Sequence, residues 1–380
     1  MDEPSSQEPQ DRTDDVTAPA GAADTPSTTE GERLPFRKRH PVFLALVIAA
    51  ILVPLIGGGA YLWHINSQLG NIETISTDGL EDRPDPAPGK ALNILVLGTD
   101  KGGKNAKSTV AQDAKLAQWP ANVYRSDTLL IAHISADREN VDLVSIPRDT
   151  FTTIHDATGA PVEEAKINEA FSRYGPVGAI STVENLTGLR MDHIVMIDWV
   201  GFRDISRAVD GVPVHIPESF YDPSQKVMWE AGDQVLEGEM ALKYVRTRYG
   251  LQNGDFDRIK RQQNFLRALM KKMLDSGVTS NPVRLSKTVG ALSRNITVDE
   301  SFSTDAIRGL ALALRGVQTE DVRFLTMPTA GYGTDPTWGS VVLKDEEKNA
   351  VLFTALRDDR IDAYLLDNPD AVLPDPDEIK

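Results

Sequence analysis

Positive charge is concentrated in one short stretch of this chain, Tyr244 to Gln263 (YVRTRYGLQNGDFDRIKRQQ). Arg246 and Arg248 lie two residues apart, which in extended backbone sends both side chains to the same face. Gly250, Asn253 and Gly254 interrupt the run, and Asp255 is placed to cap the helix that follows. In that helix Arg258, Arg261 and Gln262 stand at i, i+3 and i+4, on one side of the cylinder. Folded back on itself, the stretch would gather several guanidinium groups in a small volume. Such a group repels itself unless an anion fills it, and the planar Arg fork matches phosphate oxygens. The same residues would also serve as a solvated basic helix.

Carboxylates occupy a second set of positions. Leu92 to Leu97 (LNILVL) has the unbroken apolar character of a buried strand and runs out on Gly98, Thr99 and Asp100. Lys101 to Tyr124 follows as a polar insertion with little periodicity. Arg125, Ser126 and Asp127 then precede a second strand, Thr128 to Ile134. Ala136 to Glu139 reads as a hairpin turn into a third, Val141 to Ile146, which runs out on Pro147, Arg148 and Asp149. In a hairpin the start of one strand lies beside the end of the next, so Arg125 and Asp127 neighbour Arg148 and Asp149. If the first strand runs parallel to Val141–Ile146, Asp100 reaches the same edge, where open α/β sheets bind ligands. Carboxylates beside arginines, without Cys or His, suit a hard divalent ion bridging phosphate oxygens. A salt-bridge lattice at the sheet edge is the structural alternative.

The elements that must position these groups follow from periodicity. Helices are expected at Glu163–Arg173, Pro176–Leu186 after a break at Gly175, Gly201–Val209, Glu237–Tyr244, the long run through Leu274, Asp305–Arg315 and Glu347–Arg357. Strands are expected at His193–Trp199, Val212–Ile216 and Val322–Met327. Strands alternating with helices indicate an α/β domain with layers on both sheet faces, running from residue 92 to about 368.

Composition narrows the partner. The 380 residues carry a formal net charge of -16 and a pI of about 4.9, so the Arg cluster suits a small polyanion and no nucleic acid is expected. Cysteine is absent, which excludes disulfides, thiolate metal sites and a Cys nucleophile. The six histidines include no i, i+4 pair and no HExxH, so no zinc site is expected. Residues 1–40 form an acidic, Pro- and Ser-rich tail too polar to fold, ending in Arg37, Lys38 and Arg39. Val42 to Trp63 contains no charged residue and is long enough to span a bilayer, with Tyr61 and Trp63 as interfacial aromatics. Pro54 and the glycines 57–59 are tolerated in such a span. The basic flank places the tail in the cytoplasm and the remainder outside, so 41–64 reads as a signal anchor, 65–91 as a Pro-containing linker and 369–380 as a loose acidic tail.

Six ordered motifs carry a resemblance: Leu97-Gly98-Thr99-Asp100, Arg125-Ser126-Asp127, Ser145-Ile146-Pro147-Arg148-Asp149, Lys166-Ile167-Asn168, Arg246-Thr247-Arg248 and Gly254-Asp255-Phe256-Asp257-Arg258. With the signal anchor before them and Met327-Pro328-Thr329 after, the chain resembles the LytR-CpsA-Psr (LCP) family over roughly residues 92–357. The resemblance implies a membrane-anchored phosphotransferase of bacterial cell-wall assembly. It would move a glycopolymer phosphate from a polyprenyl-diphosphate carrier to a peptidoglycan hydroxyl and form a phosphodiester. It also implies a three-layer α/β/α sandwich with a mixed central sheet and an apolar tunnel for the polyprenyl chain. Asp100 and Asp127 match the family's metal-binding aspartates, for Mg²⁺ or Mn²⁺. Arg125, Arg148, Arg246, Arg248, Arg258 and Gln262 match residues around the diphosphate, Asp255 the carboxylate that orients them, and Asp149 is the candidate base. The stripe Ala179, Ile180, Val183 and Leu186 is the expected tunnel wall. The Lys101–Tyr124 insertion exceeds the usual link between the first two motifs, and the second C-terminal domain that some actinobacterial members append is not expected here. A polyprenyl diphosphatase, or a non-catalytic protein that binds and senses the same lipid, would use the same arginines.

Overall fold

Residues 60–101, 108–248, 255–275, 281–376 and 379 are described by the structure, a computed structural model. The expected tail, most of the 42–63 run and the glycines between Arg248 and Asp255 lie outside them. Among the described residues no helix is long and apolar enough to cross a membrane.

A helix over 60–69 (α1) leads into a short strand, β1 (Glu73–Ile75). β2 (Leu92–Lys101) follows, then the four-residue helix α2 (Val110–Asp113) and the hairpin strands β3 (Tyr124–Ile134) and β4 (Val141–Ile146). A second hairpin, β5 (Phe151–His155) and β6 (Pro161–Lys166), precedes the long helix α3 (Asn168–Thr187). Next come β7 (His193–Asp198), α4 (Trp199–Ala208), β8 (Val212–Ile216), β9 (Phe220–Asp222), β10 (Val227–Trp229) and β11 (Gly232–Leu236). Helices α5 (Gly238–Arg246), α6 (Asp255–Asp275) and α7 (Pro282–Asn295) carry the chain to β12 (Ile296–Asp299) and α8 (Thr304–Ala313). The remainder is β13 (Val322–Thr326), the hairpin β14 (Thr329–Asp335) and β15 (Gly339–Lys344), and helices α9 (Glu346–Arg357) and α10 (Ile361–Asp367).

Seven strands form one mixed sheet in the order β1-β12-β7-β2-β3-β4-β13. β3 is antiparallel to both β2 and β4, so β2 and β4 run the same way. β7 is parallel to β2 and β13 to β4. The carboxyl ends of β2, β4, β7 and β13 and the amino end of β3 therefore share one edge, which is the convergence the hairpin pattern implies.

Alternation along the strands divides the core between two faces. Leu95, Leu97, Leu129, Ile131 and Val144 pack with Ala179, Ile180 and Val183 of α3 and Leu352 and Leu356 of α9. Ile94, Leu130, Ala132, Leu143 and Phe324 face the other way, toward Leu266 and Met270 of α6 and Ile307 and Leu310 of α8. Each fully buried Leu or Ile contributes about 1.5–3 kcal/mol, which is why both faces stay covered. A third cluster joins α4, α5, β8 and Phe265 around Trp229.

Four sequence expectations change. Glu163 to Lys166 is strand: alternation across Pro161–Lys166 buries Ala165 completely beside Ile154, and the helix begins only at Asn168. The 65–91 linker is instead part of the domain. β1 pairs with β12, Ile75 is fully buried, and Arg83 donates to both oxygens of Glu184 and to the Met191 carbonyl. Within the expected 369–380 tail the described residues likewise pack, with Leu373 N–H donating to the Phe324 carbonyl at 2.7 Å and Leu373 and Ile379 buried. The insertion is docked where it is described. Thr109 and Gln112 form a reciprocal cap for α2, and the Trp119 ring packs at a tilt against Tyr124 and Phe171. The expected break in α3 supplies its seat: Gly175 has φ +71°, and a Cβ there would lie 2.8 Å from the Trp119 ring.

Candidate functional site

The shared sheet edge is built on a bulge. Gly98 pairs with Thr128 and Thr99 with Ser126, so Asp127 is an extra residue without a partner on β2. Bulges of this kind re-aim a side chain at a site. Asp127 accepts a hydrogen bond from Arg148 Nη1, a contact made across the β3–β4 hairpin. Asp100 stands opposite Arg125, and its Oδ2 lies 3.9 Å from Arg246 Nη2.

The backbone around Arg148 and Asp149 is pinned from three sides. Asn168 N–H donates to the Arg148 carbonyl, Val342 N–H to the Asp149 carbonyl, and the Thr150 hydroxyl to the Pro147 carbonyl. Asp149 then sits between two cations, Lys166 Nζ at 3.4 Å and Arg148 Nε at 3.6 Å. The tight β5–β6 hairpin delivers Lys166 to that position.

Helix α6 supplies the floor. Arg258 (4% exposed) and Gln262 line a narrow cleft with Asp127, Thr128, Ser145 and Arg148. Gln263, one residue on, donates to Ser145 Oγ at 2.8 Å and to the Leu325 carbonyl at 2.6 Å, which locks the helix to β4 and β13. Arg125, Arg246 and Arg248 are exposed; Arg125 and Arg246 neighbour Asp100, and Arg246 lies over the Trp199 ring at 4.9 Å. The predicted arginines thus differ in depth, with Arg258 buried and Arg125, Arg246 and Arg248 exposed. Asp255 begins α6, and its side chain lies outside the described residues.

Two positions differ from the sequence reading. Arg246 is the last residue of α5 rather than part of a strand, and Thr247 turns the chain out of the helix with ψ 130°. Arg261 does not join the cleft. It is 2% exposed and packs against the rings of Phe220 (4.9 Å) and Tyr244 (5.3 Å), and burial draws its pKa below the ordinary guanidinium value.

A latch invisible to sequence reasoning holds the Arg246–Arg248 segment. Thr247, fully buried between two exposed arginines, donates to Asp222 Oδ2 at 3.0 Å. Gln225 Nε2 donates to Asp222, to Thr247 Oγ1 and to the Lys243 carbonyl, each at 2.9 Å. Burial alone would raise the Asp222 carboxyl, but hydrogen bonds from Ser224, Gln225 and Thr247 outweigh it and hold the pKa down at about 2. The Phe220–Asp222 strand is too short to signal itself, and Asp222 is 25 residues from its partner.

Beside the cleft lies an apolar cavity of about 140 Å³ between the sheet and helices α4, α5 and α6. Val96, Leu130, Phe202, Val245 and Leu266 form its walls, and Thr128, Ser145 and Gln262 line both spaces. It is on the face opposite α3. Ala179, Ile180 and Val183 are 0–2% exposed in the other core cluster, so the stripe expected as a tunnel wall is packing instead.

Among the described residues no three acidic or His side chains gather as a metal cage. Asp100 and Asp127, two carboxylates flanking one bulge beside guanidinium groups, remain a fit for Mg²⁺. That ion takes one or two protein carboxylates and completes its shell with phosphate and water.

The sequence profile of the LytR_cpsA_psr family matches residues 66–357. The chain belongs to this family. LCP relatives include LcpA of Corynebacterium glutamicum, a cell wall biosynthesis protein, at 30% identity over 80% of this chain. TagV of Bacillus subtilis, a polyisoprenyl-teichoic acid–peptidoglycan teichoic acid transferase, is 34% identical over 71%. The matches span 64% of LcpA and 65% of TagV, a little under two thirds of either. The LCP fold is shared with the TagV crystal structure (TM-score 0.57, 24% identity, 72% of this chain and 98% of that one). It is shared too with the LytR-Csp2A-Psr enzyme from Actinomyces oris (TM-score 0.53, 20% identity, 75% and 96%).

Proposed function

We propose that this LCP protein transfers a glycopolymer phosphate from a polyprenyl-diphosphate carrier to a peptidoglycan hydroxyl, forming a phosphodiester. The observation that carries the reading is the junction of two unlike spaces. An Arg-lined cleft and an apolar cavity lie side by side, with Thr128, Ser145 and Gln262 lining both. An anionic head on a long apolar tail is the ligand chemistry that uses both. The naming of TagV as a polyisoprenyl-teichoic acid transferase supports it.

In this reading Arg258 and Arg148 hold the diphosphate oxygens, and Arg125, Arg246 and Arg248 close over the head group. The acceptor oxygen bonds to the sugar-side phosphorus. The bond from that phosphorus to the bridging oxygen breaks, and polyprenyl phosphate leaves with the electron pair. Asp149 is the candidate for receiving the acceptor proton, and Asp255 for orienting the arginines. Mg²⁺ or Mn²⁺ held by Asp100 and Asp127 would neutralise charge on the diphosphate. The 42–63 run anchors the protein in the membrane with the folded domain on the extracytoplasmic side.

Incubating purified full-length protein with lipid-linked polymer and peptidoglycan tests the reaction. A phosphodiester-linked product that disappears with Asp127→Ala is expected. Release of the polymer as its phosphate monoester, with polyprenyl phosphate and without transfer, would instead establish a diphosphatase, and binding without turnover a lipid-binding protein.

A further inference from the structure

Helices α1 and α7 lie side by side and parallel. Tyr61 Oη donates to the Pro282 carbonyl at 2.8 Å, His64 Nε2 and Ser286 Oγ are hydrogen-bonded at 3.1 Å, and Gln68 Nε2 donates to Ser286 Oγ at 3.2 Å. Asn66 is tied to Arg308 of α8 at 2.9 Å, so α1 is fixed to the domain on two sides. The pairing is level: the first turn of α7 stands beside Tyr61, Leu62 and Trp63, where the long apolar run of the sequence ends.

At that level the surface is apolar and basic together. Leu62 is 68% exposed, Trp63 72% and Val283 77%. Packing within the domain leaves these large side chains uncovered. Arg284 and Lys287, each about half exposed, approach Asp210 at 3.9 and 2.9 Å, and Lys272 contributes to the same field. Three cations around one carboxylate stand out on a chain of net charge -16. Exposed aromatic and aliphatic side chains beside Lys and Arg are the chemistry of a bilayer interface bearing anionic headgroups.

We propose that the corner made by the first turns of α1 and α7 is a second membrane contact, seated on anionic phospholipid headgroups. Val283 enters the interface, and Arg284 and Lys287 meet the headgroup phosphates. Because α1 is bonded to α7 and α8, seating this corner fixes the tilt of the whole domain on the membrane. A tether alone would leave that orientation free. The proposal rests on the reading of residues 42–63 as a membrane anchor.

The absence of cysteine makes a site-specific probe clean. Full-length protein carrying Val283→Cys, labelled with an environment-sensitive fluorophore, is reconstituted into phosphatidylcholine vesicles with or without phosphatidylglycerol. Leu366→Cys serves as the control: it is 84% exposed on α10, a helix tied to β13 by the Asp362–Arg323 pair. Flotation is read first, and protein that fails to float overturns the anchor reading and this proposal with it. In floated protein, the label at 283 should shift to the blue and be quenched by lipid-borne quenchers, while the label at 366 stays in water. Arg284→Glu with Lys287→Glu, or omission of phosphatidylglycerol, should reduce that quenching. A label at 283 as hydrated as the one at 366 overturns the proposal while leaving the anchor intact. Quenching that ignores both charge reversal and lipid charge overturns the headgroup assignment.

Discussion

At the amino end of β2, Asn93, His133 and Asp142 lie abreast on three strands, all 0–1% exposed. Each is matched. Asn93 Oδ1 and His133 Nδ1 are 2.8 Å apart, His133 Nε2 reaches Asp359 at 3.1 Å, and Asp142 accepts from Arg323 at 2.6 and 2.9 Å. Burial opposes the Arg323 charge, but its hydrogen bonds to Asp142 and Asp362 prevail and raise its pKa. At the carboxyl end of the same strands, Asp127 and Asp149 pair with Arg148, Asp100 lies 3.9 Å from Arg246, and Arg125, Arg246 and Arg248 are open to solvent. One end spends its charges on each other and closes. The other leaves Arg125, Arg246 and Arg248 open to solvent on a pinned scaffold, where the function proposed above would seat an anion. The contrast separates structural from functional charge within a single sheet.

The sharpest way to break the contrast is to remove one carboxylate from each end. Asp142→Ala removes a fully buried carboxylate that holds Arg323 by two hydrogen bonds, leaving it Asp362, and should cost about 3–5 kcal/mol, read as a shift in the urea midpoint. Asp127→Ala should abolish transfer while moving that midpoint less, because the Asp127 side chain is 21% exposed where that of Asp142 is fully buried. Equal destabilisation by both would erase the distinction.

The two faces of the sheet can be contrasted in the same way. Ala179→Trp overpacks a filled core and should cost about 1–3 kcal/mol, lowering the melting temperature and the binding of every donor alike. Leu266→Trp extends into the apolar cavity, so it should leave the melt nearly unchanged and weaken long-chain donors selectively. If the two variants exchanged these phenotypes, the lipid channel would lie on the α3 face after all.

Within the cleft, depth should grade the effect of replacing a fork by a point charge. Arg258→Lys should weaken binding of a short-chain polyprenyl diphosphate by roughly 1–3 kcal/mol, and Arg248→Lys, at an exposed position, by less than about 1, by calorimetric titration. Unchanged affinity in both would return the stretch to a solvated basic helix.

The smallest effect concerns the latch. The folded-state pKa of Asp222 lies below its usual value near 4, so its contribution to stability is present above that value and is lost as pH falls toward about 2. Unfolding curves of wild type and Asp222→Asn should therefore be well separated above pH 4 and converge toward pH 2. Separation that is constant across this window would remove the carboxylate from the latch.

What could be read in the sequence was what local pattern encodes. Apolar runs at 92–97 and 141–146 and a polar turn between two strands are enough to bring Asp100, Asp127 and Arg148 to one edge. Gly175-Pro176 marked the kink for the same reason, since Pro176 cannot extend the preceding turn. The rest depends on long-range packing. Which face holds the cavity follows from how α4, α5 and α6 settle on β2 and β3, and no periodicity states that. Arg261 shares a helix side with Arg258 on paper, yet Phe220 and Tyr244 draw it inward. β1 is three residues long, and only its pairing with β12 makes it a strand.

The central claim is that cleft and cavity are one site for one amphiphile. Calorimetric titration of the wild-type protein with inorganic diphosphate and then with polyprenyl diphosphates of increasing length tests it most directly. Affinity should be weak for the bare head group and climb with each added prenyl unit until the cavity is full, with Leu266→Trp removing the climb but not the head-group binding. An affinity independent of chain length would contradict the account.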